Sequence, residues 1–356
     1  MPPLPVSAMS VQSTSLSRAG YGALQTRSLE PDDGPLRHRP AELKWSPFFV
    51  CRAALLPVTI VLVVVVFALV AMSCLVISCL PRRSGGAALD ALARKGSWLV
   101  LALMGVRVVL EEPSSADVLA SLPSPDPAMA LPQPFVVVSN HLSYIDHWVL
   151  FSTLGPLAPI VRADCFQTPL IGRILKTLGA LGVDRRRRGG GAAGAGESST
   201  SDQMRQRLAA GAWPPVLVFA EGTTSNGSGI LEFRTGAFVA AAPVLAVSLR
   251  YASPSGFDLC WTDQASTPRH AMRMLCEPSK VALIALAPLH HPTKAEAAVP
   301  SEYAAAVRRT MAKNLPQPPE GLTGRTTRTL WDGWDYAKVR AFWAAENENY
   351  ERQNAS

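Results

Sequence analysis

Charge is scarce in this sequence. Lys, Arg, Asp and Glu make up 17% of its 356 residues, against roughly 25% in an ordinary soluble domain, while apolar residues reach 48%. Mean hydropathy is positive, at +0.15. That balance excludes a wholly disordered chain, which is charge-rich and apolar-poor. It also excludes an ordinary cytosolic enzyme unless the apolar excess is gathered in one place. Other features are missing altogether. No CxxC or Cys/His metal spacing occurs, so Cys51, Cys74, Cys79, Cys165, Cys260 and Cys276 read as free thiols rather than a disulfide framework or a metal site. GxSxG is absent, since Ser228 sits in NGSGI, which argues against a serine hydrolase. The glycine-rich stretch 189–201, GGGAAGAGESSTS, carries Glu197 where a phosphate-binding loop needs lysine, so it reads as a flexible insert. The net charge of +7 is dispersed apart from the four arginines at 185–188, and no nucleic-acid-binding motif accompanies it. Anionic lipid, not nucleic acid, is the expected partner of that charge.

The apolar excess lies in residues 53–80, AALLPVTIVLVVVVFALVAMSCLVISCL, which contain no charge. About 20 apolar residues cross a bilayer, so this run makes one tilted span, with Pro57 leaving a re-entrant hairpin open. A secretory signal would be shorter and nearer the start, and a buried soluble helix would show a polar face. The flanking Lys44, Arg52, Arg82, Arg83, Arg94 and Lys95 do not orient it. Residues 1–52, rich in Ser, Pro and Gly and without hydrophobic periodicity, read as a disordered tail. Their first 29 residues hold Arg18 and Arg27 but no acid, which also suits an organellar transit peptide. Residues 96–110, GSWLVLALMGVRVVL, read as an interfacial helix with Trp98 at headgroup depth.

Residues 113–134 form a Pro/Ser/Ala linker, and a soluble-looking domain follows. Brief continuous apolar runs at 135–138, 216–219, 244–249 and 281–286, with a weaker one at 180–183, suit strands buried on both faces. Helical patterns at 144–154, 169–178, 202–210 and 301–314 alternate with them. The expected fold is α/β, a mostly parallel sheet flanked by helices and preceded by N-terminal membrane helices.

Chemistry concentrates in residues 139–148, SNHLSYIDHW, directly after the first of these strands. In open α/β sheets ligands gather at the carboxyl ends of strands. A histidine such as His141 can act as general base near neutral pH, and Asp146, five residues on, can fix its tautomer and stabilise its charged form. A structural role is open too, because Ser143-x-x-Asp146 is a variant capping box that would only close a helix start. His147 lies about 100° round a helix from Asp146 and serves as a control. A His/Asp pair without its own nucleophile must activate a hydroxyl supplied by the substrate, which points to transfer onto an alcohol. The second stretch, residues 216–227, VLVFAEGTTSNG, runs from a buried strand into Glu221, able to accept hydrogen bonds from a hydroxyl, and Gly222, which lets backbone amides approach a ligand.

Together the stretches resemble the lysophospholipid acyltransferase family, membrane-bound glycerolipid enzymes that esterify a free glycerol hydroxyl from acyl-CoA. The family's NHxSxxD block is matched by Asn140, His141, Ser143 and Asp146, and its glycine-led strand ending in arginine by residues 179–185, GALGVDR. FPEGT appears as Phe219-Ala220-Glu221-Gly222-Thr223, with alanine replacing proline, and a proline-led strand as residues 242–247, APVLAV. The resemblance covers about residues 96–315. It implies His141 as base and Asp146 as its polarising partner. It implies Arg185, Glu221 and Gly222 as holders of the acceptor's phosphate and glycerol, with Asn140, Ser143, Thr223, Thr224 and Pro243 as further substrate-binding positions. It implies lysophospholipid, acyl-CoA and membrane lipid as partners, and acyl-CoA as co-substrate with no metal, cofactor or covalent intermediate. The domain would span 113–315, with 316–356 as a C-terminal extension, in the endoplasmic reticulum, with a plastid or other organelle left open.

Family members acting on lysophosphatidic acid or glycerol 3-phosphate commonly show EGTR, the arginine facing a phosphate monoester. Here Thr224 takes that place. With the FRTGAF and SLRY segments at 233–238 and 248–251, this favours the lysophosphatidylcholine and lysophosphatidylethanolamine branch. Some members of that branch carry EF-hands after the domain, and no such loop occurs in these 356 residues. Residues 330–343, LWDGWDYAKVRAFW, are similar instead to the tail of one glycerol-3-phosphate acyltransferase branch, which keeps a monoester acceptor as the alternative, and equally suit an amphipathic helix on the membrane. An inactive membrane lipid-binding protein on the same scaffold is the alternative of another class.

Overall fold

The structure is a computed structural model that describes residues 35, 45–80, 82–111, 114–122, 134–183, 200–211, 214–262, 266–316, 330, 338–339 and 341–342. The tail before residue 35, Arg185 with its neighbouring arginines, most of the glycine-rich insert and most of the C-terminal extension lie outside the described residues. The strands are β1 Val106–Leu110, β2 Val136–Ser139, β3 Ala158–Arg162, β4 Leu181–Val183, β5 Val216–Phe219, β6 Val244–Ala252 and β7 Lys280–Leu286. The helices are α1 Pro47–Ala54, α2 Leu56–Ile77, α3 Arg82–Met104, α4 Ser114–Ser121, α5 Asp146–Leu154, α6 Ile171–Thr177, α7 Thr200–Ala209, α8 Thr267–Cys276, α9 Lys294–Ala298 and α10 Pro300–Lys313.

The seven strands form one sheet in the order β1-β7-β6-β2-β5-β3-β4. All neighbours are parallel except β6 and β7. The central strands are buried on both faces, as their apolar runs require. In β2, Val137 packs into one layer with residues of α2, α3, α5 and α6, while Val136 and Val138 face the other, with Met204 of α7 and Tyr303, Val307 and Met311 of α10.

Several readings of the sequence change here. Residues 96–110 are not one interfacial helix. α3 runs to Met104, and after Gly105 the chain enters β1, which pairs in parallel with β7 from Val106↔Lys280 to Leu110↔Ile284. The stretch Val-Arg-Val-Val-Leu is rich in β-branched residues, and a sheet neighbour holds it as a strand. The expected linker 113–134 contains α4, whose Ser115 Oγ accepts from the Leu286 amide at 2.9 Å. β3 and α8 were not expected at all.

The N-terminal run divides at Leu55. Ser46 caps α1, accepting from the Phe49 amide at 3.1 Å, and Pro57 falls in the first turn of α2, where it opens a helix instead of turning a hairpin. Among the described residues α2 is the one helix long and apolar enough to cross a membrane. Its 22 residues rise about 33 Å, enough for a hydrocarbon core of about 30 Å. Only Val70, Ala71 and Cys74 of it are buried, and Val58, Val61, Leu69 and Val76 stand more than half exposed. Two arginines lock the helical layer onto the domain. Arg52 donates to the Leu103 and Leu275 carbonyls at 2.9 and 3.0 Å, capping the ends of α3 and α8. Arg94, braced by Asp90 at 3.1 Å, donates to the Thr153 and Leu154 carbonyls and so caps α5, the helix that begins at Asp146. All six cysteines are free thiols.

Candidate active site

β2 and β5 are parallel neighbours with Ser139 opposite Phe219, so the chain segments leaving both strands emerge side by side at their carboxyl ends. One segment carries His141 and Asp146, the other Glu221 and Gly222. β6 flanks β2 on its other side and runs five residues past Val247, the partner of Ser139, which brings Tyr251 to the same end.

The geometry centres on Asp146, fully buried at the first turn of α5. Its Oδ2 accepts from His141 Nδ1 at 2.7 Å and from the Leu142 and Ser143 amides at 2.7 and 3.0 Å. Its Oδ1 accepts from the Tyr251 hydroxyl at 2.6 Å. The Tyr251 phenol is pushed well above its ordinary range by burial and then by the Asp146 charge, so it remains a donor. A carboxylate taking up Nδ1–H leaves His141 Nε2 with its lone pair outward, the tautomer a base needs. The imidazole lies flat on Phe219, with centroids 4.0 Å apart and planes 15° apart, which fixes its plane as Asp146 fixes its edge. The backbone beneath it is pinned as well. The Ser225 amide donates to the His141 carbonyl at 2.8 Å and the Trp261 amide to the Leu142 carbonyl at 2.7 Å.

The capping reading of Asp146 is partly realised. It does bind two backbone donors, but the Ser143 hydroxyl takes no part: fully buried, it has no hydrogen-bond partner among the described residues, and the N-cap of α5 is Ile145 without a side-chain bond. The His147 ring is not remote from His141, standing edge-on to it at 6.2 Å and against Phe219 at 5.0 Å. Desolvation, reinforced by His141, lowers the His147 pKa to about 4. It is therefore neutral at physiological pH and a weak base.

Glu221 is buried and does not face open space. Its Oε1 accepts from the His141 amide at 2.9 Å and its Oε2 from the Leu231 amide at 3.0 Å, so it clamps the histidine segment to the loop after β5. Burial raises its pKa to about 7, against the lowering effect of those two bonds. Arg308 of α10 supports the far side of the clamp, donating to the Ile230 and Leu231 carbonyls at 2.8 Å each. Gly222 has φ +72°, and a Cβ there would lie 2.5 Å from Arg234 Nε. Only glycine accommodates both the left-handed backbone and the arginine lying across it.

The other expected site residues are placed unequally. The Asn140 side chain reproduces a strand ladder, donating to the Leu249 carbonyl at 3.0 Å and accepting from the Leu249 amide at 2.7 Å, so it ties the histidine segment to β6. Thr223 is half-buried beside Gly222, and Thr224 is buried. Pro243 is not brought to the site. Its carbonyl accepts from the Val136 amide at 2.9 Å, at the opening end of the strands. Arg185 falls outside the described residues, two positions beyond β4. The sequence reading passed over Phe219 as a ring support, and over Tyr251, Arg234 and Arg308. For Tyr251 the signal was its phase, since Leu245, Val247, Leu249 and Tyr251 share one face of β6.

Known proteins agree with this architecture. Residues 123–250 match the family model described as Acyltransferase. The lysophospholipid acyltransferase LPEAT1 of Arabidopsis thaliana is 34% identical over 181 residues, 51% of this chain and 44% of that protein. The lysophospholipid acyltransferase LPCAT4 of Homo sapiens is 32% identical over 193 residues, 53% of this chain and 35% of that one. The chain thus spans less than half the length of these curated relatives. The crystal structure of the 1-acyl-sn-glycerophosphate (LPA) acyltransferase PlsC from Thermotoga maritima superposes with a TM-score of 0.51 at 17% identity, over 74% of this chain and 97% of that one, a likeness of fold. The stretch that holds His141, Asp146, Glu221 and Tyr251 coincides with or directly adjoins the segment that matches the Acyltransferase family model.

Proposed function

We propose that the chain is an acyl-CoA-dependent lysophospholipid O-acyltransferase that works at a membrane held by α2. The observation that carries the chemistry is the His141–Asp146 pair at 2.7 Å with Nε2 left to act. The hydroxyls of Ser139, Ser143 and Ser225 belong to fully buried residues and no serine-nucleophile motif accompanies the pair, which supports an attacking oxygen supplied by the substrate. His141 Nε2 takes the proton of the acceptor's glycerol hydroxyl as that oxygen bonds to the thioester carbonyl carbon. The tetrahedral intermediate collapses with cleavage of the carbon–sulfur bond, and the coenzyme A thiolate, whose thiol has an ordinary pKa of about 8.5, recovers the proton from the imidazolium. General-base assistance of this kind contributes roughly 10²–10⁴ in rate. The exposed apolar surface of α2 supports the membrane placement, and the family resemblance implies the endoplasmic reticulum as the compartment.

For the acceptor we favour lysophosphatidylethanolamine or lysophosphatidylcholine. The relatives' names supply the lysophospholipid class. Charge supplies the headgroup argument. A phosphodiester carries one negative charge, and a monoester about 1.5–2 near neutral pH. Among the described residues the Arg234 guanidinium lies across Gly222 and Arg308 acts on Glu221 from the far side of the clamp, while Thr224 stands where the monoester enzymes carry a further arginine. A competition assay with lysophosphatidylethanolamine and lysophosphatidic acid at equal concentration tests this. The wild type should favour the diester, and Thr224→Arg should raise the share of lysophosphatidic acid. A wild type that strongly prefers lysophosphatidic acid or glycerol 3-phosphate overturns the assignment.

A further inference from the structure

Nearly all the exposed large apolar side chains of the described residues lie between residues 45 and 104, on α1, α2 and α3 or in the short segments flanking them. Outside that region the described residues expose only Leu170, Ile171, Met272 and Val299 in this way. Leu170 and Ile171 are adjacent, 40% and 41% exposed, and their backbone is unusual. Leu170 has φ 63° and ψ −54°, and the Ile171 amide donates to the Pro169 carbonyl at 2.7 Å. This is a three-residue turn in its rare, strained form. Non-glycine residues hold such a conformation only where the surroundings over-determine it, often at functional sites. Here the surroundings are tight. The Gly172 amide donates to the Thr168 carbonyl at 2.8 Å, and a Cβ on Gly172 would fall 2.2 Å from the Phe166 carbonyl oxygen.

The tip also has a defined neighbour. α6 packs against α2, burying Ile174 and Leu178 in the same cluster as Val70, Ala71 and Cys74. Ile171 lies three and four residues before the buried Ile174 and Leu175, on the same helical face. The apolar stripe of α6 therefore overhangs the core by one turn and ends in Leu170. From Thr177, which neighbours Cys74, back to Ile171 is about 9 Å along the axis. Among the described residues around this element, Arg162 is paired with Asp164 and the exposed Arg173 and Lys176 add positive charge, which suits anionic headgroups.

We propose that the Pro169-Leu170-Ile171 tip is a second lipid-contact site, which seats its two apolar side chains in the headgroup–acyl boundary of an anionic bilayer beside α2 and so fixes the height of the His141 site above the surface. The proposal rests on the membrane placement made above and adds a site to it. A rigid turn suits this role because insertion then orders nothing further, and the overhanging stripe gains burial that the protein itself does not supply.

The test uses full-length protein reconstituted in phosphatidylcholine vesicles containing phosphatidylglycerol and a radiolabelled phospholipid. A photoreactive benzoylphenylalanine replaces Leu170, Ile171 or, as an exposed apolar control, Val299. Irradiation should attach labelled lipid at 170 and 171 several-fold more than at 299. Lipid attachment at 170 and 171 no greater than at 299, or attachment to a second copy of the chain, overturns the proposal. As a second readout, the double change Leu170→Ser and Ile171→Ser should lower transfer to a vesicle-borne acceptor several-fold and leave transfer to a short-chain, water-soluble lysophospholipid unchanged. Equal loss on both acceptors contradicts a membrane role. A wild type inactive on both sinks the transfer reading instead, and the photochemistry still decides the fate of the tip.

Discussion

Asp146→Asn separates two roles that alanine would confound. In the protein, Oδ2 receives three donors, from His141 Nδ1, Leu142 and Ser143, and Oδ1 receives the Tyr251 hydroxyl. Asparagine has the same size and one carbonyl oxygen. Three converging N–H groups draw that oxygen to the Oδ2 position, which turns the amide NH2 toward Tyr251, whose hydroxyl can rotate and accept. The helix start and the imidazole pose both survive. What is lost is the negative charge facing the imidazolium that forms as His141 takes the proton. A hydrogen bond to a charged group contributes about 1.5–3 kcal/mol and a neutral one about 0.5–1.5, while two charges 4 Å apart at an effective dielectric constant near 20 attract by about 4 kcal/mol. A loss of about 2–3 kcal/mol lies between these bounds and corresponds to roughly 30–150-fold in kcat. Stability should change by less than about 1 kcal/mol, the scale of one neutral hydrogen bond. Initial rates with labelled acyl-CoA at saturating acceptor, alongside thermal unfolding in detergent, read both quantities. Wild-type kcat in Asp146→Asn would refute the reasoning, because Asp146 would then serve only the start of α5.

Three further outcomes follow from the surrounding shell. Tyr251→Phe leaves Asp146 Oδ1 buried without its donor, so unfolding measurements should show a loss of about 1–3 kcal/mol, with a smaller fall in turnover than Asp146→Asn; unchanged stability would mean that the Tyr251 bond contributes nothing. The Glu221 carboxyl is raised from 4.5 to about 7 by burial, so the folded state binds its proton more tightly than the unfolded state. Its contribution is present in full below about 4.5 and declines as pH rises through about 7, by about 3 kcal/mol; Glu221→Gln should flatten that decline in thermal unfolding across the same window, and an unchanged slope would reject the assignment. Gly222→Ala meets both the positive φ and the Arg234 guanidinium, and should cost at least about 1–2 kcal/mol from the backbone alone, measured the same way; a neutral substitution would show that the turn relaxes freely.

What could be read from the sequence follows physical lines. The strands at 216–219 and 281–286 were legible because burial on both faces demands continuous apolar runs. β3 was not, since Pro159 argues against a strand. The sheet tolerates it where β3 passes from pairing with β5, through Ala158 and Pro159, to pairing with β4 from Ile160. β1 was hidden because helix and strand look alike in a short apolar stretch, and residues 96–110 hold the end of one and the whole of the other. The His141–Asp146 pair was visible as a motif, but its partners were not. Glu221 binds two backbone amides and Asn140 binds Leu249, contacts that depend on which strands are neighbours. Tyr251 reaches Asp146 across 105 residues only because β6 outruns β2.

Transfer itself is read by incubating full-length protein in vesicles with labelled oleoyl-CoA and lysophosphatidylethanolamine, and counting labelled phosphatidylethanolamine for the wild type, His141→Ala and His147→Ala. The wild type and His147→Ala should both form product, while His141→Ala should fall by at least about 10²-fold, the scale of a lost general base. Product formed by His141→Ala at the wild-type rate, or lost in His147→Ala alone, would contradict the assignment of His141 as the group that takes the acceptor's proton.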